Sequence, residues 1–490
     1  MGPLTSEVAS PLICLRNFQP LNGSINRCVG PKAAQRKQER PSRRQTIYLR
    51  SASSSNGSGP RSAPSTAEQH RNHTYDVVTL GNLCVDIFIH VDQMPAVQEL
   101  KTPGYLRQLQ QQSTDQSLWE VGASCNFLIA AARLGMRTAA VANLGEDVYG
   151  KYLLDILQSE GIAHFEPLAP AAFNEQLRET LLCFVLMGPA AAHAFCSRYD
   201  FGPWPLLPGV DRLPANVHKV LRDSAALFVA GCCFDELPPA VIMEGVHSHR
   251  ATGGAVFFDP GPRSMTFRDP HRRKALHTLL DSTDVVLMTQ EEAEAITEIS
   301  DAEEAAWSIL DRPGAATQWC IVKLGGEGAL LCTKSPRRQH RQTGVQVAVA
   351  DTVGCGDSFA AAITMGYTRR HSIPALLTLA NAVGAATAMG EGAGRRVATL
   401  EAVQGLLQRE AEGASAQPVE CISDSGRGSL PVEPLAREAL ALLEQSLGRR
   451  STASSAIATG SRELSGTLSG DGHTSPYRKD AHDRSATQHL

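Results

Sequence analysis

Hydrophobic positions between residues 76 and 332 fall into short runs of two kinds, which alternate along the chain. Runs rich in β-branched and aromatic residues, such as GAVFFDPG (254–261) and DVVLMT (284–289), are typical of buried strands. Between them, apolar residues recur at helical spacing, as in SCNFLIAAARL (124–134), where Ser124 is a candidate N-cap. This alternation predicts an α/β fold with a doubly wound, mainly parallel sheet flanked by helices. Ligands bind such sheets beyond the carboxyl ends of the strands, so the site is expected in the turns that follow them.

The same patterns predict the remaining elements of this region. Strands are expected at 76–91 (two strands and a turn), 138–145, 178–187, 225–231, 318–332 and at VQVAV (345–349). Helices are expected at 149–161, 237–249, 271–281, 291–298 and 301–310. Segment 98–118 matches no strong pattern, and we expect it to form part of a lid or an insertion.

The two ends of the chain differ from this middle. Residues 1–73 carry eleven Lys or Arg, three acidic residues and many serines, which is typical of an organellar transit peptide. The serine content favours a plastid over a mitochondrion. A disordered basic tail that stays attached is the alternative, and the protein would then be cytoplasmic. Residues 410–490 are predicted to form a linker, a short amphipathic helix at 433–447 and a disordered polar tail.

Composition excludes several classes of function. The chain has 490 residues with a formal net charge of −4, so neither nucleic acid nor an anionic membrane is an expected partner. Apolar runs of about 18 residues, the length that spans a bilayer, do not occur in the sequence. The twelve cysteines are scattered without a C-x-x-C spacing, which argues against a zinc site and for reduced thiols in an intracellular compartment. The oligomeric state cannot be deduced from the sequence.

The turn DTVGCGDSF (351–359) carries the strongest chemical signal. It precedes a helical run, and a helix N-terminus has unpaired N–H groups and about half a positive charge. Gly354, Cys355 and Gly356 would let an anion approach these groups and would hold the charge on a transferred phosphoryl group. Asp357 follows, where a carboxylate can take the proton of an attacking hydroxyl. Helix capping alone is the plainer explanation for a lone G-x-G-D.

This turn resembles the DTxGAGD signature of the pfkB family of carbohydrate kinases, with Cys355 in the place of the usual alanine. VGASCNFLIAAARLGMRTAAVANLGEDVYG (121–150) is similar to the second signature of that family, with Val121 in the place of its first glycine. The resemblance covers roughly residues 74–409. It implies a ribokinase-like fold with a small β lid, built from residues roughly 88–118 and the strand near 178–198, which would exclude water.

The resemblance also implies roles for residues outside the turn. Asp86, Gly122 and Asn126 match positions on the substrate side, where the two polar side chains would hydrogen-bond substrate hydroxyls. A turn or capping role is the alternative for Asp86, and a local hydrogen bond is the alternative for Asn126. Because Cys355 lies at a helix N-terminus, we also expect a lowered thiol pKa there.

On the nucleotide side, VKLGGEGA (322–329) is similar to a loop of the family that binds ATP. The resemblance places Gly325 and Gly328 against the nucleotide. Lys323, where threonine is common, is either a phosphate ligand or a charge at a strand edge. Asn381 matches the adenine-side helix, and an amide satisfied within that helix is the alternative.

The resemblance further implies Mg²⁺ with ATP. Glu292 matches the glutamate that acts on Mg²⁺ through water, whereas Thr289 stands in the place of an asparagine. An exposed helical carboxylate is the alternative for Glu292. Family members often require K⁺ near the loop after the adenine-side helix, but the sequence gives no clear ligand set for it, and this requirement stays open.

These observations predict ATP-dependent phosphorylation of a hydroxyl on a small sugar. A nucleoside is the alternative substrate, because Phe88, Phe127, Phe195 and Tyr199 are candidates for stacking on a base, although periodicity explains the first two as core. HAFCSRYDFGPWP (193–205) would line the sugar pocket or pack its own aromatics. A second class of function is a non-catalytic kinase-fold partner in an organellar complex, which nucleotide binding without turnover would reveal.

Overall fold

The computed structural model describes residues 73–112, 115–167, 179–189, 193–391, 393–413, 419–423 and 426–463. The predictions for residues 1–72 and 464–490 lie outside the described residues. In the described part of the chain, no helix is long and apolar enough to cross a membrane.

Fifteen strands and fourteen helices are described. The strands are β1 (Tyr75–Leu80), β2 (Leu83–His90), β3 (Trp119–Ala123), β4 (Thr138–Val141), β5 (Ala163–Phe165), β6 (Leu182–Met187), β7 (His193–Ser197), β8 (Ser224–Ala230), β9 (Ala255–Asp259), β10 (Val285–Thr289), β11 (Trp319–Lys323), β12 (Ala329–Thr333), β13 (Arg338–Gln342), β14 (Val419–Ser423) and β15 (Gly426–Leu430). The helices are α1 (Val97–Leu100), α2 (Pro103–Gln110), α3 (Ser124–Arg133), α4 (Val148–Ser159), α5 (Ala215–Arg222), α6 (Cys233–Glu236), α7 (Pro239–Arg250), α8 (Pro270–Leu280), α9 (Gln290–Thr297), α10 (Ala302–Leu310), α11 (Cys355–Thr368), α12 (Ile373–Ala388), α13 (Leu400–Ala411) and α14 (Val432–Glu463).

The large sheet has eleven strands in the order β15-β14-β13-β12-β11-β10-β9-β8-β1-β4-β5. The strands from β5 to β11 in this order are parallel, and β12 to β15 continue the sheet in antiparallel pairs. The predicted doubly wound, mainly parallel sheet is therefore confirmed. Its parallel strands end at one edge, where the turns after β9, β10 and β11 lie side by side.

Both faces of the large sheet are covered by helices. Alternate side chains of a strand point to opposite faces, so Phe257 packs into the core beneath α3, α11 and α12, whereas Phe258 packs into the core beneath α7, α8 and α10. Both phenylalanines are fully buried. This burial on both faces explains why the strands appear in the sequence as nearly continuous apolar runs.

A second, small sheet has the strand order β3-β2-β6-β7. β2 pairs with β3 in antiparallel register and with β6 in parallel register, and β7 closes the outer edge. The predicted small sheet is therefore present, but segment 98–118 is mainly α1, α2 and a short 3₁₀ turn. This segment packs on the small sheet through Leu100, Leu106 and Leu109, and it adds no strand in its described residues.

Three local predictions are wrong. VQVAV (345–349) lies outside the sheet and has no regular secondary structure, and the preceding strand β13 ends at Gln342. Ser124 is the first helical residue of α3, and the N-cap is Ala123 at φ 55° without a side-chain hydrogen bond. Residues 419–430, expected in a linker, contain the β14 and β15 strands, which pair with each other and with β13.

The helix expected at 433–447 is the first half of a longer one, α14. Its buried Ala439 and Leu443 join the core that also contains α12 and α3. The Ser446 hydroxyl donates to the carbonyl of Leu134, immediately after α3. The C-terminal segment therefore belongs to the folded unit and supports two helices that carry site residues.

Candidate active site

The turn before α11 has the geometry of an anion cradle. Gly354 is the N-cap residue at φ 80°, a conformation that favours glycine. The N–H groups of Gly356 and Asp357 have no acceptor among the described residues, as expected for the first turn of a helix. A Cβ atom at Gly354 would lie 3.3 Å from Val397 Cγ1, and one at Gly356 would lie 3.2 Å from Lys323 Nζ. The glycines therefore keep the space over these amides open, beside a lysine ammonium.

Asp357 lies at the start of α11 and faces α3. Its Oδ2 accepts a hydrogen bond from Asn126 Nδ2 at 3.0 Å, and Asn126 Oδ1 accepts one from the Gly394 amide at 2.8 Å. Burial and, less strongly, the nearby Asp259 carboxylate raise the pKa of Asp357 to about 6. A carboxylate with such a pKa is ionised at neutral pH and is basic enough to accept a proton. The structure thus brings together two predicted residues that are 231 positions apart.

Asp259, Glu292 and Lys323 come together at the ends of the neighbouring strands β9, β10 and β11. Lys323 Nζ donates to Asp259 Oδ2 at 2.6 Å, and both side chains are largely buried, at 12% and 7% exposed. Burial disfavours the charged ammonium, but Asp259 and Glu292 outweigh it and raise the pKa of Lys323. The lysine therefore stays protonated, and its contact with Gly356 places a fixed positive charge beside the anion cradle.

Glu292 has a local role as well as a place in this cluster. It forms a capping box with Thr289, in which Glu292 Oε2 accepts from the Thr289 amide at 2.7 Å and Thr289 Oγ1 accepts from the Glu292 amide at 3.2 Å. Burial raises the pKa of Glu292 to about 7, although Lys323 opposes the shift. The capping box thus fixes the side chains of Thr289 and Glu292 at the start of α9. Glu292 is therefore not simply an exposed helical carboxylate.

The predicted substrate-side residues Asp86 and Gly122 lie on the neighbouring strands β2 and β3, where Gly122 pairs with Cys84 and Asp86 pairs with Glu120. A Cβ atom at Gly122 would lie 2.3 Å from both carboxylate oxygens of Asp86, so only glycine leaves room for this side chain. Asp86 also accepts from the Cys84 thiol at 3.3 Å. Burial raises the pKa of Asp86 to about 7, and the charges of Glu120 and Asp357 add to the shift. The Asp357 carboxylate is thus near enough to Asp86 to disfavour its charge.

The predicted nucleotide residues form a second group. Gly325 and Gly328 have φ values of 59° and 94°, and a Cβ atom at Gly328 would lie 2.0 Å from the Gln342 carbonyl oxygen. Asn381 Nδ2 donates to the Thr343 carbonyl at 3.1 Å. This bond ties α12 to the segment that packs on the glycine turn, since a Cβ atom at Gly344 would lie 2.7 Å from the Gly326 oxygen. Asn381 thus supports the turn through Thr343.

The prediction for the Cys355 thiol is wrong. Burial, followed by the carboxylates of Asp351 and Asp357, raises its pKa to about 12. The positive end of the helix does not compensate for these effects, so this thiol stays protonated at neutral pH.

Several site residues escaped the sequence analysis. Asp259 follows a buried strand directly, in FFDPG, and its position at the carboxyl end of a parallel strand was a usable signal. Glu120 and Arg395 pair at 3.0 Å beside the Gly394 amide that binds Asn126, and Arg395 Nη2 also donates to the Tyr152 hydroxyl at 3.0 Å. No short-range pattern connects these two residues.

Two buried carboxylates make the cluster at β9 and β10 suitable for a divalent cation held through water. The charges of Glu292 and Asp259 act on each other and on Lys323, which pairs with Asp259 at 2.6 Å and supplies compensating positive charge. The described residues contain no group of three or more His, Cys, Asp or Glu side chains arranged to bind a metal by themselves. The donor set therefore fits an ion whose other ligands are water and phosphate oxygens, as Mg²⁺ prefers.

Comparisons with known proteins agree with this geometry. The sequence model described as pfkB family carbohydrate kinase matches residues 210–399. The probable fructokinase-3 of Arabidopsis thaliana is 26% identical over 330 residues, which cover 65% of this chain and 87% of that protein. The 5-dehydro-2-deoxygluconokinase 1 of Bacillus cereus is 23% identical over 324 residues, which cover 64% of this chain and 88% of the relative.

Solved structures show the fold. A putative ribokinase II from E. coli in complex with ATP and Mg²⁺ aligns with a TM-score of 0.54 at 22% identity, over 68% of this chain and 99% of that one. A ribokinase from Arabidopsis thaliana complexed with ribose and ATP aligns with a TM-score of 0.52 at 19% identity. The alignment covers 68% of this chain and 98% of the ribokinase chain. Residues 210–399 are therefore a pfkB family carbohydrate kinase domain, within a chain that has the ribokinase-like α/β fold.

Proposed function

We propose that this sugar kinase transfers the γ-phosphoryl group of ATP to a hydroxyl of a small sugar or sugar acid, with Asp357 as the general base. The contact of Asp357 with Asn126 at 3.0 Å, directly beside the glycine cradle, is the observation that carries this proposal. A base must lie within hydrogen-bonding reach of the hydroxyl that it deprotonates. The space between Asp357, Asn126 and Asp86 is where that hydroxyl would bind.

The cradle and Lys323 would stabilise the charge on the transferring group. The amides of Gly356 and Asp357 have no acceptor among the described residues, and Cys355 contributes to the same turn. Lys323 lies beside Gly356 and is paired with Asp259. A protonated lysine next to unpaired amides is suited to the negative charge that spreads over phosphoryl oxygens during transfer.

The glycine turn after β11 would bind the nucleotide. Gly325 and Gly328 leave the backbone open to a close approach, and Asn381 supports this turn through Thr343. Glu292 and Asp259 would hold Mg²⁺ through water. The ion would supply charge neutralisation between the phosphates of ATP. Whether K⁺ also activates the protein can be measured by replacing K⁺ with Na⁺ in the same assay.

The aromatic side chains favour a sugar over a nucleoside. Phe127 stacks on Phe228 in the core at 3.9 Å between ring centroids, and Tyr199 is buried beneath Arg263. Phe195 is 46% exposed and lies against His193 at 5.4 Å, on the outer strand of the small sheet. Two of the four candidates for stacking on a base, Phe127 and Tyr199, are therefore committed elsewhere, and Phe195 lies on an outer strand. The relatives named fructokinase and 5-dehydro-2-deoxygluconokinase point the same way.

The test is ADP release by the purified full-length chain with ATP and Mg²⁺. The acceptors are pentoses, hexoses, keto sugar acids, phosphosugars and nucleosides, each at several concentrations. We expect saturable turnover with one sugar or sugar acid. Turnover with a nucleoside alone would refute the substrate class. ATP binding without turnover on any acceptor would favour the non-catalytic partner instead.

We also propose that residues 1–73 direct the protein to an organelle, a plastid before a mitochondrion. The basic, serine-rich and acid-poor composition supports this location. The test compares the location in cells of two fusions. In the first, a fluorescent protein is fused to residues 1–73, and in the second it is fused to the chain that starts at residue 74. Cytoplasmic fluorescence from the first fusion would contradict the proposal.

A further inference from the structure

Residues 197–207, here called the strap, run from the end of β7 in the small sheet to the surface of the large sheet. The strap contains the aromatic segment that the sequence analysis left open. Its backbone is attached to α6, since the amides of Leu206 and Leu207 donate to the carbonyls of Asp235 and Glu236 at 2.7 and 2.9 Å. Tyr199 is buried and Trp204 is 44% exposed. The strap thus physically connects the two sheets.

A network of ion pairs connects the strap to α6, to α8 and to the turn after β9. Arg263 pairs with Asp200 of the strap at 3.3 Å and with Asp235 of α6 at 3.0 Å. Arg272 pairs with the other oxygen of Asp235 at 2.5 Å. Asp235 is fully buried, and both arginines are about 85% buried, with 16% and 15% of their side chains exposed. Buried charge pairs of this kind are costly to break, because each leaves an uncompensated charge.

The same two arginines contact the aromatic side chains of the strap. The Arg263 guanidinium lies 5.5 Å from the centre of the Tyr199 ring, and Arg272 lies 5.7 Å from the Trp204 ring. The Tyr199 hydroxyl donates to Glu236 at 3.3 Å, and Trp204 Nε1 donates to the Tyr199 carbonyl at 2.9 Å. Arg263 thus makes both an ionic and a cation–π contact with the strap, whereas Arg272 contacts the strap through Trp204 and pairs with Asp235 of α6.

The network is adjacent to the active site. Arg263 follows Asp259, the partner of Lys323, within the turn after β9. The Gly231 amide, just before α6, donates to the Asp259 carbonyl at 2.8 Å. On the other side, β7 belongs to the sheet that carries Asp86. A shift of the strap would therefore move the small sheet relative to the base.

We propose that Arg263 and Arg272 are positioning residues that fasten the strap and thereby hold the small sheet over the acceptor site. This inference rests on the proposed phosphoryl transfer. A fastened strap keeps Asp86 aligned with Asp357 and excludes water from the cradle. A loosened strap admits water, so that ATP is hydrolysed without transfer and the acceptor binds more weakly. The nucleotide turn is on other elements, and the KM for ATP stays unchanged.

The test compares Arg272→Gln with Arg273→Gln. The two arginines are neighbours in α8, but Arg273 pairs with the exposed Glu298 at 2.8 Å and donates to the Phe267 carbonyl at 3.4 Å, and in the described part of the chain it forms no hydrogen bond or ion pair with the strap. The first readout needs no activity: the rate of tryptic cleavage after Arg198, at the start of the strap, measured by mass spectrometry on the native full-length chain. Because a charged hydrogen bond is lost, we expect cleavage to be about tenfold faster in Arg272→Gln. Arg273→Gln should match the wild type.

The second readout is the ratio of ATP hydrolysed to acceptor phosphorylated. We expect this ratio and the acceptor KM to rise about tenfold in Arg272→Gln, and to stay unchanged in Arg273→Gln. Asp200→Asn, which keeps the shape of a partly exposed residue, should show the same effects in weaker form. Equal cleavage after Arg198 in all variants would overturn the fastening role. Faster cleavage with an unchanged hydrolysis ratio would overturn the link to the acceptor site. Faster cleavage in a protein that phosphorylates nothing would instead refute the proposed function alone.

Discussion

Replacing Asp357 by asparagine should abolish transfer and at the same time stabilise the protein. The substitution conserves shape, and the new amide oxygen can accept the hydrogen bond from Asn126 Nδ2 that Asp357 accepts at 3.0 Å. A general base typically contributes about 10²–10⁴-fold to the rate. We therefore expect kcat to fall by at least about 10²-fold, or about 3 kcal/mol of transition-state stabilisation, while the affinity for ATP is retained.

The stabilising effect follows from the raised pKa of this carboxyl. Folding shifts the pKa from 3.8 to about 6, because burial disfavours the charge. About two pKa units correspond to about 3 kcal/mol that the ionised side chain costs the fold above pH 6. This figure is an upper value, since the side chain is partly exposed. The cost disappears below pH 4, where the carboxyl is protonated in both the folded and the unfolded chain.

Urea unfolding of wild type and Asp357→Asn at pH 7.5 and pH 4.5 checks this reasoning. We expect the variant to be more stable by about 1–3 kcal/mol at pH 7.5 and the difference to shrink at pH 4.5. Turnover close to that of the wild type would refute the role as a base. A variant that is less stable than the wild type at pH 7.5 would refute the claim that the buried, ionised Asp357 carboxylate destabilises the fold.

Three further predictions concern the acceptor side, the pH dependence and the C-terminal helix. In the wild type, kcat/KM for the acceptor should fall as the pH is lowered from about 7 to about 6. The reason is that burial raises the pKa of Asp86 to about 7 and that of Asp357 to about 6. A flat profile between about pH 8 and about pH 5 would contradict the assignment of these two carboxylates to the acceptor site. Gly122→Ala should raise the acceptor KM by at least about tenfold in steady-state kinetics without changing the KM for ATP, because its Cβ atom would displace the Asp86 carboxylate. Leu443→Ala should cost about 2–5 kcal/mol in urea unfolding, since the side chain is fully buried; an unchanged free energy of unfolding would show that α14 does not support the core.

The sequence predicted the parts of the site that are local in the chain. The glycine turn and the base lie within nine residues, and their conformation follows from helix-terminus physics and from the φ that Gly354 adopts. The strands that end at the site are buried on both faces, so their apolar runs were readable. What the sequence could not give is the contact between Asn126 and Asp357, which exists because α3 and α11 pack side by side.

The errors also have physical reasons. β15 is exposed at every residue, so its sequence GRGSL carries neither alternation nor an apolar run. The helix terminus alone predicts a lowered pKa for the Cys355 thiol, whereas burial and two carboxylates raise this pKa. The sequence does not distinguish the two roles of Lys323, because a single lysine at a strand end belongs to no periodic pattern. Its partner Asp259 is 64 residues away and becomes its neighbour only when β9, β10 and β11 align.

The most direct test of the central claim is identification of the product. The full-length chain is incubated with Mg²⁺, γ-¹⁸O-labelled ATP and the acceptor that gives the fastest ADP release, and the product is analysed by mass spectrometry beside an Asp357→Asn control. We predict a phosphate ester on a sugar hydroxyl that carries the label, formed by the wild type and lost in the variant. Labelled inorganic phosphate as the sole product, or the same ester from both proteins, would contradict the account.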